Sequence, residues 1–203
     1  MNKILTFLFF FCTLFSAANA QPNAASADTS KSNTFYSQKF KWRIVLPVGF
    51  VRQSNADYKN EHKKGAETIE KASGEKIDDQ TVQVCSYKSG PFNYFEANEQ
   101  PYDAAKDGNH KELNKAVDDV LYNTFAKQMP DLKLDTVTYV EKIGGLDFDC
   151  FKLTGRMDES HTLNTFLYTR LFGSNDLTIS IVYLDENKGK ELLDSWQHST
   201  FGK

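Results

Sequence analysis

The stretch "LKLDTVTYVEKIGGLDFDCFKLTG", residues 132–155, decides the fold. Two runs of alternating apolar and polar residues meet at the pair Gly144-Gly145, and an alternation with period two is the mark of a half-buried strand. The glycines cannot form a phosphate-binding loop of the usual kind, because a strand and not a helix follows them. Two further strand patterns come next, "TLNTFLYTRLF" (162–172) and "LTISIVYL" (177–184), separated by the polar turns "RMDESH" and "GSND". Four successive strands with short, turn-rich links predict an antiparallel meander.

Working upstream, "FYSQKFKWRIVLP" (35–47) places Phe40, Trp42, Ile44 and Leu46 at period two with Lys41 and Arg43 between them, which predicts one half-buried strand. Pro47 and Gly49 end it, and "GFVRQ" can start a second short strand. Residues 57–73 are strongly charged, with Ala66, Ile69 and Ala72 at helical spacing and Gly74 placed as a C-cap, so a surface helix that buries little is expected. "TVQVCSYK" reads as a strand, "SGPFN" as a turn, "YFEANEQPY" as a weaker strand stopped by Pro101, and "DAAKDGNHKE" as a polar connection. Leu113, Ala116, Val117, Val120, Leu121 and Phe125 then form a helical apolar stripe ahead of Pro130, predicting the main core helix. Downstream of the meander, Asp185 or Asn187 can cap a helix with Leu192, Leu193 and Trp196 turned inward. Helices on both sides of a strand run predict an α+β protein, an antiparallel meander layered as an α/β/α sandwich.

The chain opens with a single charge at Lys3, the apolar run "ILTFLFFFCTLF" (4–15) and "SAANA", in which Ala18 and Ala20 make a small-x-small cleavage pattern. Residues 1–20 read as a secretory signal peptide, since the apolar run falls well short of the roughly 20 residues of a membrane span. Cys12 follows "FFF" and lacks the small residues that precede a lipidated cysteine. Residues 21–33 are small and polar, a flexible tether, and 34–203 suit a single domain. The expected location is the periplasm or outside the cell, with no membrane span after cleavage. With 24 basic and 27 acidic residues the chain is mildly acidic, which argues against nucleic acid and against polybasic attraction to lipid heads.

The order of elements resembles the PsbP/Mog1-like fold. The pieces that carry the resemblance are "IVLPVGF" with its P-x-G-F step, "KIGGLDFDCFKL", "LTISIVY" and "LLDSWQHSTF" with its closing S-x-F. The helix-forming "NEHKKGAETIEKASGEKI" (60–77) is additional to the simplest version of that pattern. The resemblance implies a mostly non-enzymatic binding or assembly module, as in secreted bacterial domains, photosystem accessory proteins and a partner of a small GTPase, and it transfers no individual site residue.

Read for chemistry, the chain offers few partners. Cleavage leaves two cysteines, Cys85 and Cys150, in a compartment that permits disulfides; they either pair or remain as two buried thiols that behave as small hydrophobes. A nucleophilic Cys85 would need a histidine or helix N-terminus beside it, and none of the four histidines stands next to a cysteine in a recognisable motif. The aromatics Phe92, Tyr94, Phe95 and Tyr102 can form a stacking surface for a small ligand or a protein partner, or fill the sheet. Asp158, Ser160 and His161 place hydrolase residue types in one turn, although triad members ordinarily come from separate elements. Asp78-Asp79 and Asp118-Asp119 read as solvated positions. Residues 103–114 fail the calcium-loop ligand pattern, and no zinc spacing occurs, so neither metal nor cofactor is expected. The function expected is a non-catalytic binding or accessory module; the alternative is a small hydrolase or thiol-dependent enzyme using Cys85 or the Ser160/His161 turn.

Overall fold

The computed structural model describes residues 33–73, 80–158 and 160–202. The expected leader with Cys12, the tether up to residue 32, Gly74 and the Asp78-Asp79 pair lie outside the described residues, as do the side chains of Ala66, Ile69 and Ala72. Asn33, the last residue of the expected tether, is anchored: its amide donates to the carbonyls of Pro47 at 3.0 Å and Phe50 at 2.8 Å.

The meander forms as its sequence predicts. Strands β6 (Lys133–Ile143), β7 (Leu146–Arg156), β8 (Thr162–Phe172) and β9 (Asn175–Tyr183) pair antiparallel in succession. Gly144 and Gly145, with φ of 56° and 84°, make the two-residue turn between β6 and β7, a left-handed geometry that side chains other than glycine resist. A Cβ on Gly144 would also meet the Ser199 carbonyl at 2.9 Å.

Three more strands extend this sheet beyond β9. They are β3 (Val51–Arg52), β4 (Val82–Lys88) and β5 (Tyr94–Pro101), giving the order β3-β4-β5-β9-β8-β7-β6. The expected "weaker" strand is therefore central. Pro101 ends β5 opposite Asn175 but does not keep it at an edge.

The N-terminal alternation differs from its reading as a single strand. It is a hairpin of β1 (Thr34–Ser37) and β2 (Trp42–Val45), with Lys41 at a φ of 47° in the turn. The period-two signal holds because Phe40, Trp42, Ile44 and Leu46 all face the core, while the break lies in "QKFK" (38–41), which no glycine or proline marks. A short C-terminal strand, β10 (Thr200–Phe201), pairs with the other side of β2 and completes a three-stranded sheet, β1-β2-β10.

Among the described residues four helices accompany the sheets: α1 (Asn55–Ser73), α2 (Ala104–Asp107), α3 (His110–Gln128) and α4 (Glu186–Gln197). The expected polar connection thus holds α2, capped by Asp103, and the start of α3, capped by Asn109. Val117, Leu121 and Phe125 of α3 pack with Tyr94, Phe151, Leu153, Leu163, Leu167 and Val182 on one face of the large sheet. On the other face α4, capped by Asp185, joins the small sheet around the larger core, where Trp42 and Trp196 are fully buried. Layers on both faces of an antiparallel sheet give the α+β sandwich, with the small sheet sharing one layer with α4.

Candidate functional site

The four aromatics expected to form a binding surface do not share one. Successive side chains of a strand point to opposite faces, so Tyr94 packs on the α3 side and Phe95 on the α4 side, both at 0% exposure. Phe92 packs against the α3 cluster. Tyr102 is half-buried, its hydroxyl donating to the Gly108 carbonyl at 2.6 Å and its ring edge-on to His110. The correction follows from topology: β5 is paired on both sides and covered on both faces, which a single sequence window cannot reveal.

The two cysteines do not bridge. Cys85 lies on β4 and Cys150 on β7, with β5, β9 and β8 between them, a separation of roughly 19 Å against the roughly 7 Å a disulfide spans. Both thiols are free and buried in the same core. Burial drives the Cys85 thiol well above its usual range, with Arg52 opposing only in part. Burial likewise pushes Cys150 up to about 12, against hydrogen bonds from Tyr139 and Tyr168. A bulge between Gln83 and Cys85 resets the alternation of β4, so Cys85 faces the same core as Cys150.

In the 158–161 turn, the Asp158 carboxylate accepts the backbone N–H groups of Ser160 and His161 at 2.7 and 2.8 Å, and lies 2.8 Å from His161 Nδ1. The histidine beside it holds Asp158 below the usual carboxylate range. Ser160 contributes its N–H and not its hydroxyl. The residue types therefore build an exposed turn and not a catalytic relay.

A polar row that the sequence does not advertise runs across the sheet face under α1 and α3. The Tyr58 hydroxyl donates to Asn98 at 2.8 Å, and His62 Nε2 stands 3.4 Å from Glu96, which is 2% exposed. The Asn98 amide also donates to Glu96. Beneath α3, His110 Nε2 is 3.1 Å from Asp176 and the Asn114 amide donates to Thr169 at 2.9 Å. These contacts attach the two helices to β5, β8 and β9; the Tyr58, Asn98 and Asn114 groups find partners, whereas His110 Nε2 and Asp176 Oδ1 approach without forming a hydrogen bond and Glu96 Oε2 has none. Among the α1 side chains described, Tyr58 and His62, one turn apart, are buried, more than the charged sequence of this helix leads one to expect.

The open concavity lies on the opposite side of the molecule. It is a cleft of about 650 Å³ lined by Arg43 to Val48 and Thr200 on one wall and by Asp194, Ser195 and His198 on the other. The alternation of β1 and β2 that sends Phe35, Trp42 and Ile44 inward sends Tyr36, Arg43 and Val45 outward. Arg43 is directly opposite Tyr36 on one side and Thr200 on the other. Pro47 ends the strand, and the turn that follows leaves Val48 81% exposed. Val45 and Val48 line the cleft beside a guanidinium that has no carboxylate partner among the described residues, and the exposed Tyr36 stands next to that guanidinium on β1. Across the cleft, His198 Nδ1 is 3.3 Å from Asp194, an exposed pair that contributes little to stability. The outward set was present in the same period-two pattern that identified the core, and only the inward half was read as informative.

No protein-family model matches the chain, and no curated protein matches it. Among solved structures, it is similar to the solution structure of cyanobacterial PsbP (CyanoP) from Synechocystis sp. PCC 6803, with a TM-score of 0.50 at 7% identity. The match covers 90% of this chain and 100% of that one. At that identity the likeness concerns architecture, and the architecture is PsbP-like.

Proposed function

We propose that this PsbP-like chain is an exported, non-catalytic binding or accessory module, working in the periplasm or outside the cell, and that the cleft beside β2 is where it engages a protein partner. The observation that carries this reading is the exposed Val45 and Val48 beside Arg43 in the cleft, with the exposed Tyr36 next to Arg43 on the neighbouring strand. Arginine and tyrosine are enriched at protein-binding hot spots, and the two valines add apolar area beside them. The partner presents an apolar side chain and a carboxylate for Arg43. Supporting the non-catalytic part, the thiols of Cys85 and Cys150 are sealed in the core, and among the described residues no base is hydrogen-bonded to the Ser160 hydroxyl. The leader-like residues 1–20 support export, and no helix among the described residues is long and apolar enough to cross a membrane.

The test is site-specific photocrosslinking in cells that produce the protein. A photoreactive side chain at position 48 is expected to capture one defined protein, and Arg43→Glu is expected to abolish that adduct while the thermal midpoint stays unchanged. Equal capture of the same proteins from position 115, on the far side of α3, would sink the assignment of the cleft. Turnover of a substrate that is lost in Ser195→Ala with the fold intact would sink the non-catalytic reading.

A further inference from the structure

The two edges of the large sheet are unlike. One is β3, only two residues long; the other is β6, eleven residues paired to β7 without a register shift. A long edge strand with no bulge or proline is a template for another strand, and proteins usually blunt such edges. Here the middle of β6, Asp135 to Thr138, is exposed, and Val137 and Val140 are 51% and 60% exposed. No strand among the described residues pairs with its outer side.

Which backbone groups face outward follows from the turn. In a two-residue hairpin the flanking residues, here Ile143 and Leu146, form a hydrogen-bonded pair, and such pairs alternate along the ladder. Odd-numbered residues of β6 therefore bond to β7. The N–H and C=O groups of Leu134, Thr136, Thr138 and Val140 point away from the sheet.

We infer that β6 pairs antiparallel with β6 of a second copy of this chain, about a two-fold axis through Val137. A two-fold perpendicular to the sheet keeps the faces aligned, so residues meet partners of the same parity and only a few registers are open. Centring on Thr138 sets Asp135 against Glu141, like charges directly opposed, and Leu134 against Lys142. Centring on Tyr139 sets Val137 against Glu141 and Asp135 against Ile143. Centring on Val137 sets Lys133 against Glu141, Leu134 against Val140, Thr136 against Thr138, and Val137 against itself. Opposite charges, apolar pairs and hydroxyl pairs are the combinations that stabilise adjacent strands. Glu141 is already held in place by the Tyr168 hydroxyl at 3.0 Å and by Gln197 at 3.0 Å. The outward groups of this register make roughly eight backbone hydrogen bonds, and the sheet runs continuously through both copies. An interface of one strand pair is small, so the dimer is weak and depends on concentration.

Sedimentation equilibrium and a cross-linking pair test this. The chain is expected to rise with concentration toward twice its monomer mass. Val137→Lys, which places two ammonium groups at the axis, is expected to weaken association at least about tenfold without lowering the thermal midpoint. Val137→Cys is expected to give a disulfide-linked dimer on air oxidation. Val140→Cys is not, because the two 140 positions lie about 20 Å apart in this register. A monomer mass at every concentration overturns the pairing, as does cross-linking through position 140 as readily as through 137.

Discussion

Asp118 stands on α3 beside Asp119, with Asp149 of β7 near it, and burial together with Asp119 and Asp149 pushes its carboxyl up to about 7 from a reference of 3.8. The folded chain therefore holds a proton there that the unfolded chain releases between about pH 4 and 7. Stability falls as pH rises wherever the native state binds more protons. The contribution of this residue is thus fully present below pH 3.8 and lost as pH passes about 7. Asp118→Asn, which cannot ionise, is expected to match the parent in thermal unfolding at pH 4 and to exceed it at pH 8. A gap that is equal at both pH values would show that Asp118 titrates as an ordinary carboxylate. The sequence showed two adjacent aspartates and no reason to distinguish them. Only Asp119, paired with Lys115 at 2.7 Å on the exposed face, behaves as that reading expects. The difference comes from where the helix face meets the sheet, which local spacing does not specify.

At the scale of the element, α4 carries a glycine in its interior, Gly189, where alanine would ordinarily favour the helix by about 1 kcal/mol. A Cβ there would overlap the Tyr183 ring, which lies over this position from β9. Gly189→Ala is therefore expected to destabilise the fold by about 1–3 kcal/mol, the range for overpacking, read as a lower midpoint in urea. A gain in stability would mean that the ring moves aside. The meander, the α3 stripe and the α4 cap were all legible, because each rests on periodicity or a local hydrogen bond within a few residues. What was not legible is which strand is central and which helix face is polar and buried. Glu96, Asn98 and His62 look like surface residues in sequence and become interior only when β9 pairs with β5, far away along the chain. The cleft was half legible, since Arg43 and Val45 stand in the alternation of β2, but its second wall comes from α4 and has no signal near it.

For the whole molecule, the larger core is an assembly of distant parts around Trp42. Its ring centroid lies 5.5 Å from Phe35, 5.9 Å from Trp196, 6.0 Å from Phe95 and 6.1 Å from Phe201. Trp42→Ala is expected to lower stability by about 3–5 kcal/mol, whereas Tyr36→Ala on the outer face of the same hairpin is expected to stay within about 0.5 kcal/mol. Similar losses at both positions would mean that the outer face is also packed in solution. Because β10 pairs with β2 and Phe201 stacks on Trp42, the core around residues 35–46 is completed by residues more than 150 positions away along the chain. A core built from contacts this far apart in sequence must close a long loop before those contacts repay the cost, which slows folding relative to a chain held by local contacts.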